Sequence, residues 1–313
     1  MRLPALVLLL VLAIPVPAAA SPRDALIVPH ATRAAQFRVA QAGTRIVTAG
    51  DHGTILLSDD AGAHWRQARR VPQDTTLTAL FFADKRRGWT AGHGGVILAT
   101  QDAGETWQVQ KRGGKDDRPV FSLWFETPLH GFAAGAFGLL LETHDGGGTW
   151  RARALPAGME DRHLYQVFGH GKALWVTSEE GRLLHSTNAG RDWRVRATPA
   201  RGSLWGGLVL RDGSVMVMGL KGQLLLSRNG GERWDTVDTG TERSLTGGIE
   251  LADGSVLASG LDGAILHARP PFAGARTYTA SGRQNLAGLA ALPGKRLLLL
   301  GGNGLSVVPA PLW

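Results

Sequence analysis

Between residues 77 and 110 the chain alternates short apolar runs with breaks of glycine and polar residues. That pattern predicts four strands, at Leu77 to Phe82, Gly88 to Ala91, Val96 to Thr100 and Trp107 to Gln110. The pattern is one copy of a unit that returns along the chain. Its core reads GDHGTILLSDDAGAHW from Gly50, GHGGVILATQDAGETW from Gly92, GAFGLLLETHDGGGTW from Gly135, SEEGRLLHSTNAGRDW from Ser178 and GLKGQLLLSRNGGERW from Gly219. Two degenerate copies follow, GLDGAILHARPP from Gly260 and GGNGLSVVPAP from Gly301, so the steps between copies are 42, 43, 43, 41, 41 and 41 residues. A fixed step of this size marks one supersecondary unit per copy. Four short antiparallel strands cannot bury both faces of their sheet alone, so such units stack radially around a central channel. The expectation is an all-β, seven-bladed β-propeller of four-stranded antiparallel blades.

The seventh unit contains only three clear strands, near Leu286 to Leu292, Arg296 to Leu300 and Leu305 to Val308. An apolar segment, Ala25 to Val28, precedes the first full unit and is expected to supply the missing outer strand, so that the N-terminal strand closes the last blade.

Upstream of that segment, Arg2, the apolar run Leu6 to Val16 and Ala18-Ala19-Ala20 before Ser21 have the make-up of a secretory signal with its cleavage site. Residues 1–20 are therefore expected to be a signal peptide, and 21–313 a single propeller domain. The apolar run is shorter than the roughly 20 residues that span a bilayer, and no later stretch is both long and uncharged enough. The expected location is exported, periplasmic or extracellular and at most peripheral to a membrane, with the protein a monomer. The chain has no cysteine, so disulfides, lipidated cysteines and thiolate metal sites are excluded.

Five units carry Ser/Thr-x-Asp/Asn-x-Gly-x-x-Trp: Ser58, Asp60, Gly62, Trp65; Thr100, Asp102, Gly104, Trp107; Thr143, Asp145, Gly147, Trp150; Ser186, Asn188, Gly190, Trp193; Ser227, Asn229, Gly231, Trp234. In this Asp-box hairpin the short acidic or amide side chain accepts bonds from N–H groups of its own turn, the glycine takes a positive φ, and the tryptophan wedges between neighbouring sheets. A carboxylate at the same turn of successive blades is a turn clamp, so these aspartates are scaffold and not a calcium or catalytic site.

With these boxes at blade spacing after a signal sequence, the chain resembles the photosystem II stability and assembly factor family and its relatives outside photosynthetic organisms. The resemblance rests on Gly-x-x-Gly-x-Ile/Leu-Leu-x-Ser/Thr-x-Asp/Asn-x-Gly-x-x-Trp and is weakest over blades six and seven, which lack the box. It implies a binding or assembly scaffold for a membrane-protein complex, without catalytic residues, cofactor or metal. Bacterial relatives occur beside exporters of the resistance-nodulation-division type, which makes such an exporter a candidate partner.

Formal charge is +8, with 34 Lys and Arg against 26 Asp and Glu, which favours an acidic partner. The segments before the innermost strands place Arg33, Arg118, Arg162, Arg201, Arg243 and Arg283 in one register across six units, with Thr75 in the other. Arg69, Arg70, Lys111, Arg112 and Lys115 add charge to the same loops. Six guanidinium groups around a channel mouth would focus positive potential and grip carboxylates bidentately, so these arginines are the expected partner- or anion-binding residues. The pairs inside Gly-x-x-Gly, among them Asp51-His52, His93-Gly94, Ala136-Phe137 and Glu179-Glu180, are chemically mixed and form no repeated site.

The alternative is a secreted glycoside hydrolase or a glycan-binding propeller. A sialidase-like reading uses Tyr165 near Arg162, Glu160 and Asp161, but the unit count is seven rather than six, and Phe37-Arg38-Val39-Ala40 lacks the proline of the sialidase signature. An endoglucanase-like reading has carboxylates in Asp51, Glu179, Glu180 and Asp262, but one short propeller makes no comparable cleft. His52 and His93 lack the spacing of a metal site. Export disfavours nucleic acid.

Overall fold

The computed structural model describes residues 23–114 and 116–310; residues 1–22, which include the expected signal peptide, Lys115 and residues 311–313 lie outside the described residues. Seven antiparallel sheets follow one another along the chain, six of four strands and a last one of three. The innermost strands are Gln36–Ala42, Leu77–Phe82, Val120–Phe125, Gln166–His170, Leu204–Val209, Leu245–Glu250 and Leu286–Leu292. Consecutive innermost strands lie against each other around a central channel. The seven-bladed propeller expected from the repeat is the fold observed.

Cores form between blades, because each short sheet covers its faces with its neighbours. Val47, Ile55 and Leu57 of blade 1 pack with Leu80, Leu98 and Trp107 of blade 2, and comparable clusters join the later blades. The box tryptophans Trp107, Trp150, Trp193 and Trp234 each join the cluster shared with the preceding blade. Blade 6 has no box tryptophan, and Phe272 fills the interface with blade 5 instead.

The boxes close as their chemistry requires. In blade 3, Thr143 Oγ1 donates to Asp145 Oδ1 at 2.8 Å, Gly147 N donates to Thr143 Oγ1 at 2.8 Å, and Thr149 N donates to Asp145 Oδ1 at 2.8 Å. In blade 4, Asn188 takes the aspartate's place and accepts from Asp192 N at 3.0 Å. Glycine is required twice over at Gly190 and Gly231. Their φ values are 81° and 82°, and an added Cβ would come within 2.2 Å of Phe132 and 2.3 Å of Trp175 on the preceding blade.

Ring closure differs from the sequence expectation. Residues 25–28 do not join blade 7, whose sheet keeps three strands. They run along blade 1 instead: Ala25 N donates to Val71 O at 2.8 Å, Val28 N to Gln67 Oε1 at 2.7 Å, and Gln67 Nε2 to Leu26 O at 2.9 Å. The ring is closed by side-chain packing, with Ile46, Val39 and Trp65 of blade 1 against Leu292, Leu298, Leu300 and Leu305 of blade 7. Arg296 adds a bond to Ala61 O at 3.4 Å. An apolar seam of this kind closes the ring without a shared strand.

Candidate functional site

The loops joining the second and third strands of each blade lie on the same face as the inter-blade segments, opposite the Asp boxes. Four of the six register arginines are engaged with acidic groups there. Arg118 forks onto Asp116 at 2.7 and 2.9 Å and donates to Phe137 O at 2.7 Å. Arg162 pairs with Glu180 at 2.8 Å and donates to Gly158 O at 2.8 Å. Arg283 forks onto Asp262, which also lies 3.7 Å from Arg243. Hydrogen bonds to these carboxylates raise the pKa of Arg118, Arg162 and Arg283 and lower those of Asp116, Glu180 and Asp262.

These guanidinium groups thus brace the loops, and apart from Arg243 and Arg283 at Asp262 no two share a carboxylate. Arg33 and Arg201 are exposed and show no ion pair among the described residues. Of the supplementary basic residues, Arg69 is 3.5 Å from Glu105 and Arg70 is 3.1 Å from Asp24. The face is a mosaic of paired charges, and among the described residues Arg33, Arg112, Arg201 and Lys221 are exposed there without an ion pair.

Apolar chemistry on this face is concentrated at blades 3 and 4. The second residue of each Gly-x-x-Gly pair takes a left-handed backbone in His52, Gly94, Phe137, Glu180, Lys221 and Asp262, with φ of 49°, 68°, 50°, 54°, 54° and 53°. A bulky aromatic residue is out of place in that conformation. Phe137 is nevertheless held there with 54% of its surface exposed. Its ring meets His163 edge-on at 4.8 Å, His163 meets Tyr165 at 6.1 Å and Phe121 at 5.9 Å, and Phe121 stacks on Tyr165 at 6.2 Å. Phe137 N donates to His163 Nδ1 at 3.3 Å.

Phe121 owes its position to a bulge. Strand register slips at the second residue of the innermost strand in blades 1, 2, 5, 6 and 7, and the corresponding slip in blade 3 leaves Phe121 unpaired. A bulge turns the extra side chain out of the sheet alternation toward the rim. The Tyr165 phenol reaches Glu179 and Ser203, each at 3.5 Å, and burial raises its pKa.

Below this rim is a channel cavity of about 260 Å³, lined by Phe37, Arg38, Gln166, Phe168, Thr246 and Leu289 among others, with no carboxylate in its wall among the described residues. Arg38 donates to Phe37 O at 2.9 Å and to Phe121 O at 3.5 Å, and burial lowers its pKa. Sequence reading did not mark Phe121, Phe137, His163 or Arg38 as a group. Only the out-of-type Phe137 in the Gly-x-x-Gly comparison carried a signal.

Repeat, Asp-box hairpins and loop face together define a seven-bladed propeller with Asp-box turns. The sequence profile of the family described as photosynthesis system II assembly factor YCF48 matches residues 115–201, the stretch holding Arg118, Phe121, Phe137, Arg162, His163, Tyr165 and Arg201, and the chain resembles that family. No curated protein matches the chain significantly in sequence. A solved structure described as YCF48 bound to D1 peptide is similar over 96% of this chain and 100% of its own, at 15% identity and a TM-score of 0.73. Virginiamycin B lyase from Staphylococcus aureus is similar over 91% and 97%, at 12% identity and a TM-score of 0.76. An ancestral GH74 enzyme is similar over 93% of this chain and 46% of its own, at 12% identity and a TM-score of 0.71. At these identities the likeness is one of fold, which serves binding proteins and enzymes alike.

Proposed function

We propose that the protein is an exported accessory or assembly factor that holds a segment of a membrane-associated protein complex on its loop face. The observation that carries this reading is Phe137, an exposed aromatic side chain fixed in a strained backbone conformation and backed by His163, Tyr165 and Phe121. Exposed, rigid aromatic groups ringed by polar residues are the usual anchors of protein recognition. Arg201 and Arg33 are the register arginines of the face left open to a partner's carboxylates. That a protein of similar fold is described as bound to a D1 peptide supports a peptide segment as the element a partner would present. The finer assignment to a resistance-nodulation-division exporter follows from family resemblance alone.

The deciding experiment is crosslinking capture from the native envelope, comparing wild type with Phe137→Ala and with Arg201→Glu. Loss of one specific membrane-associated partner by the folded Phe137→Ala protein, with a smaller loss for Arg201→Glu, is the expected result. An unchanged partner list for both removes the loop face as the docking site, and hydrolysis of glycan substrates, abolished by Tyr165→Phe, would replace binding with catalysis.

A further inference from the structure

On the opposite face, blade 3 brings together three side chains that the repeat does not explain. His130 precedes the second strand, Gly131–Gly135; Glu142 lies on the third, Leu140–Thr143; His144 opens the Asp-box turn. The two imidazoles stack 4.6 Å apart with planes 4° from parallel. Both direct Nε2 at the same oxygen, Glu142 Oε1, at 2.9 Å from His130 and 3.3 Å from His144. Ligand atoms around a tetrahedral zinc ion with bonds of about 2.0–2.1 Å are separated by roughly 3.3 Å, which the two nitrogen–oxygen distances match; because parallel rings aim their lone pairs along parallel lines, the exposed His144 ring turns out of the stack to bring its Nε2 to the same ion. All three atoms lie within 4.8 Å of one another.

The partners of the His130 ring nitrogens suit the same arrangement. His130 Nδ1 is 3.2 Å from Glu126 Oε2 while its Nε2 faces Glu142, so each ring nitrogen meets a carboxylate oxygen. With a metal ion on Nε2, Nδ1–H would donate to Glu126, the outer carboxylate that orients a metal-bound histidine. Arg153 competes only for the second oxygen, Glu142 Oε2, at 3.3 Å, and its other nitrogen is tied to Arg191 O at 2.8 Å on blade 4. Glu142 is buried, whereas His144 is 71% exposed, and an open cavity bordered by Ala189 and Arg191 gives an ion and its remaining water ligand a way in.

We propose that His130 Nε2, Glu142 Oε1 and His144 Nε2 form a site for a divalent transition metal, with zinc the best match to two imidazoles and one carboxylate. The site is on the Asp-box face, so it is independent of partner binding by the loop face. It is tested on the full mature chain, without an affinity tag, by calorimetric titration with Zn(II) and by visible spectroscopy with Co(II). Saturable uptake of one equivalent, a tetrahedral-type cobalt band and a rise of Tm with zinc are expected. Affinity should fall at least about tenfold in His144→Ala and about 10- to 100-fold in Glu126→Gln, which removes only the outer carboxylate. Absence of saturable uptake, or wild-type uptake by the folded His144→Ala protein, overturns the site.

Discussion

The carboxyl groups of Asp60 and Asp145 are lowered from the usual 3.8 to about 2, first by backbone N–H bonds from His64 and Thr149 and then by side-chain donors of the same turn. Because the folded pKa is the lower one, their contribution to stability is complete above the unfolded value and is lost as pH falls from about 4 through about 2. Asn188 and Asn229 perform the same task without titrating, which gives a direct test. Asp60→Asn with Asp145→Asn should flatten the loss of Tm in that window while leaving the neutral-pH Tm within a few degrees.

His185 acts higher on the pH scale. It stacks on Trp175 at 3.6 Å, and burial, followed by the charge of Arg196, lowers its pKa from 6.5 to about 4. The unfolded chain binds this proton first, so stability declines as pH falls from 6.5 toward 4. His185→Phe should keep the stack and remove that slope in denaturant midpoints measured across the window.

At the scale of elements, closure of the ring depends on the seam between blades 7 and 1. Leu298 is fully buried there with Leu292, Leu300 and Ile46, and Leu298→Ala should destabilise the protein by about 2–5 kcal/mol. Residues 25–28 form only three hydrogen bonds to blade 1, and Leu26 and Ile27 are 75% and 68% exposed. Removing residues 23–29 should therefore change the urea midpoint less than Leu298→Ala does. A larger loss on deletion would show that the segment does more than run along blade 1.

For the whole molecule, a net charge of +8 does not become a positive ring on one face, since Asp116, Glu180 and Asp262 already take up four of the arginines. Partner binding through Phe137 and a few open cations should accordingly depend more on the aromatic anchor than on salt. Raising NaCl from about 0.05 to about 0.3 M shortens the screening length and should slow association modestly. In the same kinetic measurement, Phe137→Ala should raise the dissociation rate about tenfold or more. A steep salt dependence with little effect of Phe137→Ala would return the weight to the arginines.

The sequence by itself determined the blades. A repeat of 41 to 43 residues, strand alternation and the Ser/Thr-x-Asp/Asn-x-Gly-x-x-Trp turn are local signals, and each local choice agrees with its neighbours, so blade number and strand positions within a residue or two could be read directly. Closure could not, because whether Ala25 to Val28 pairs with blade 7 or with blade 1 depends on which edge lies nearest, and no local propensity encodes that. The site was only half legible for the same reason. The register of Arg118, Arg162, Arg243 and Arg283 was visible, but their carboxylate partners lie on other turns, and Phe121, Phe137, His163 and Tyr165, or His130, Glu142 and His144, become neighbours only when loops and strands of folded blades bring distant side chains within reach.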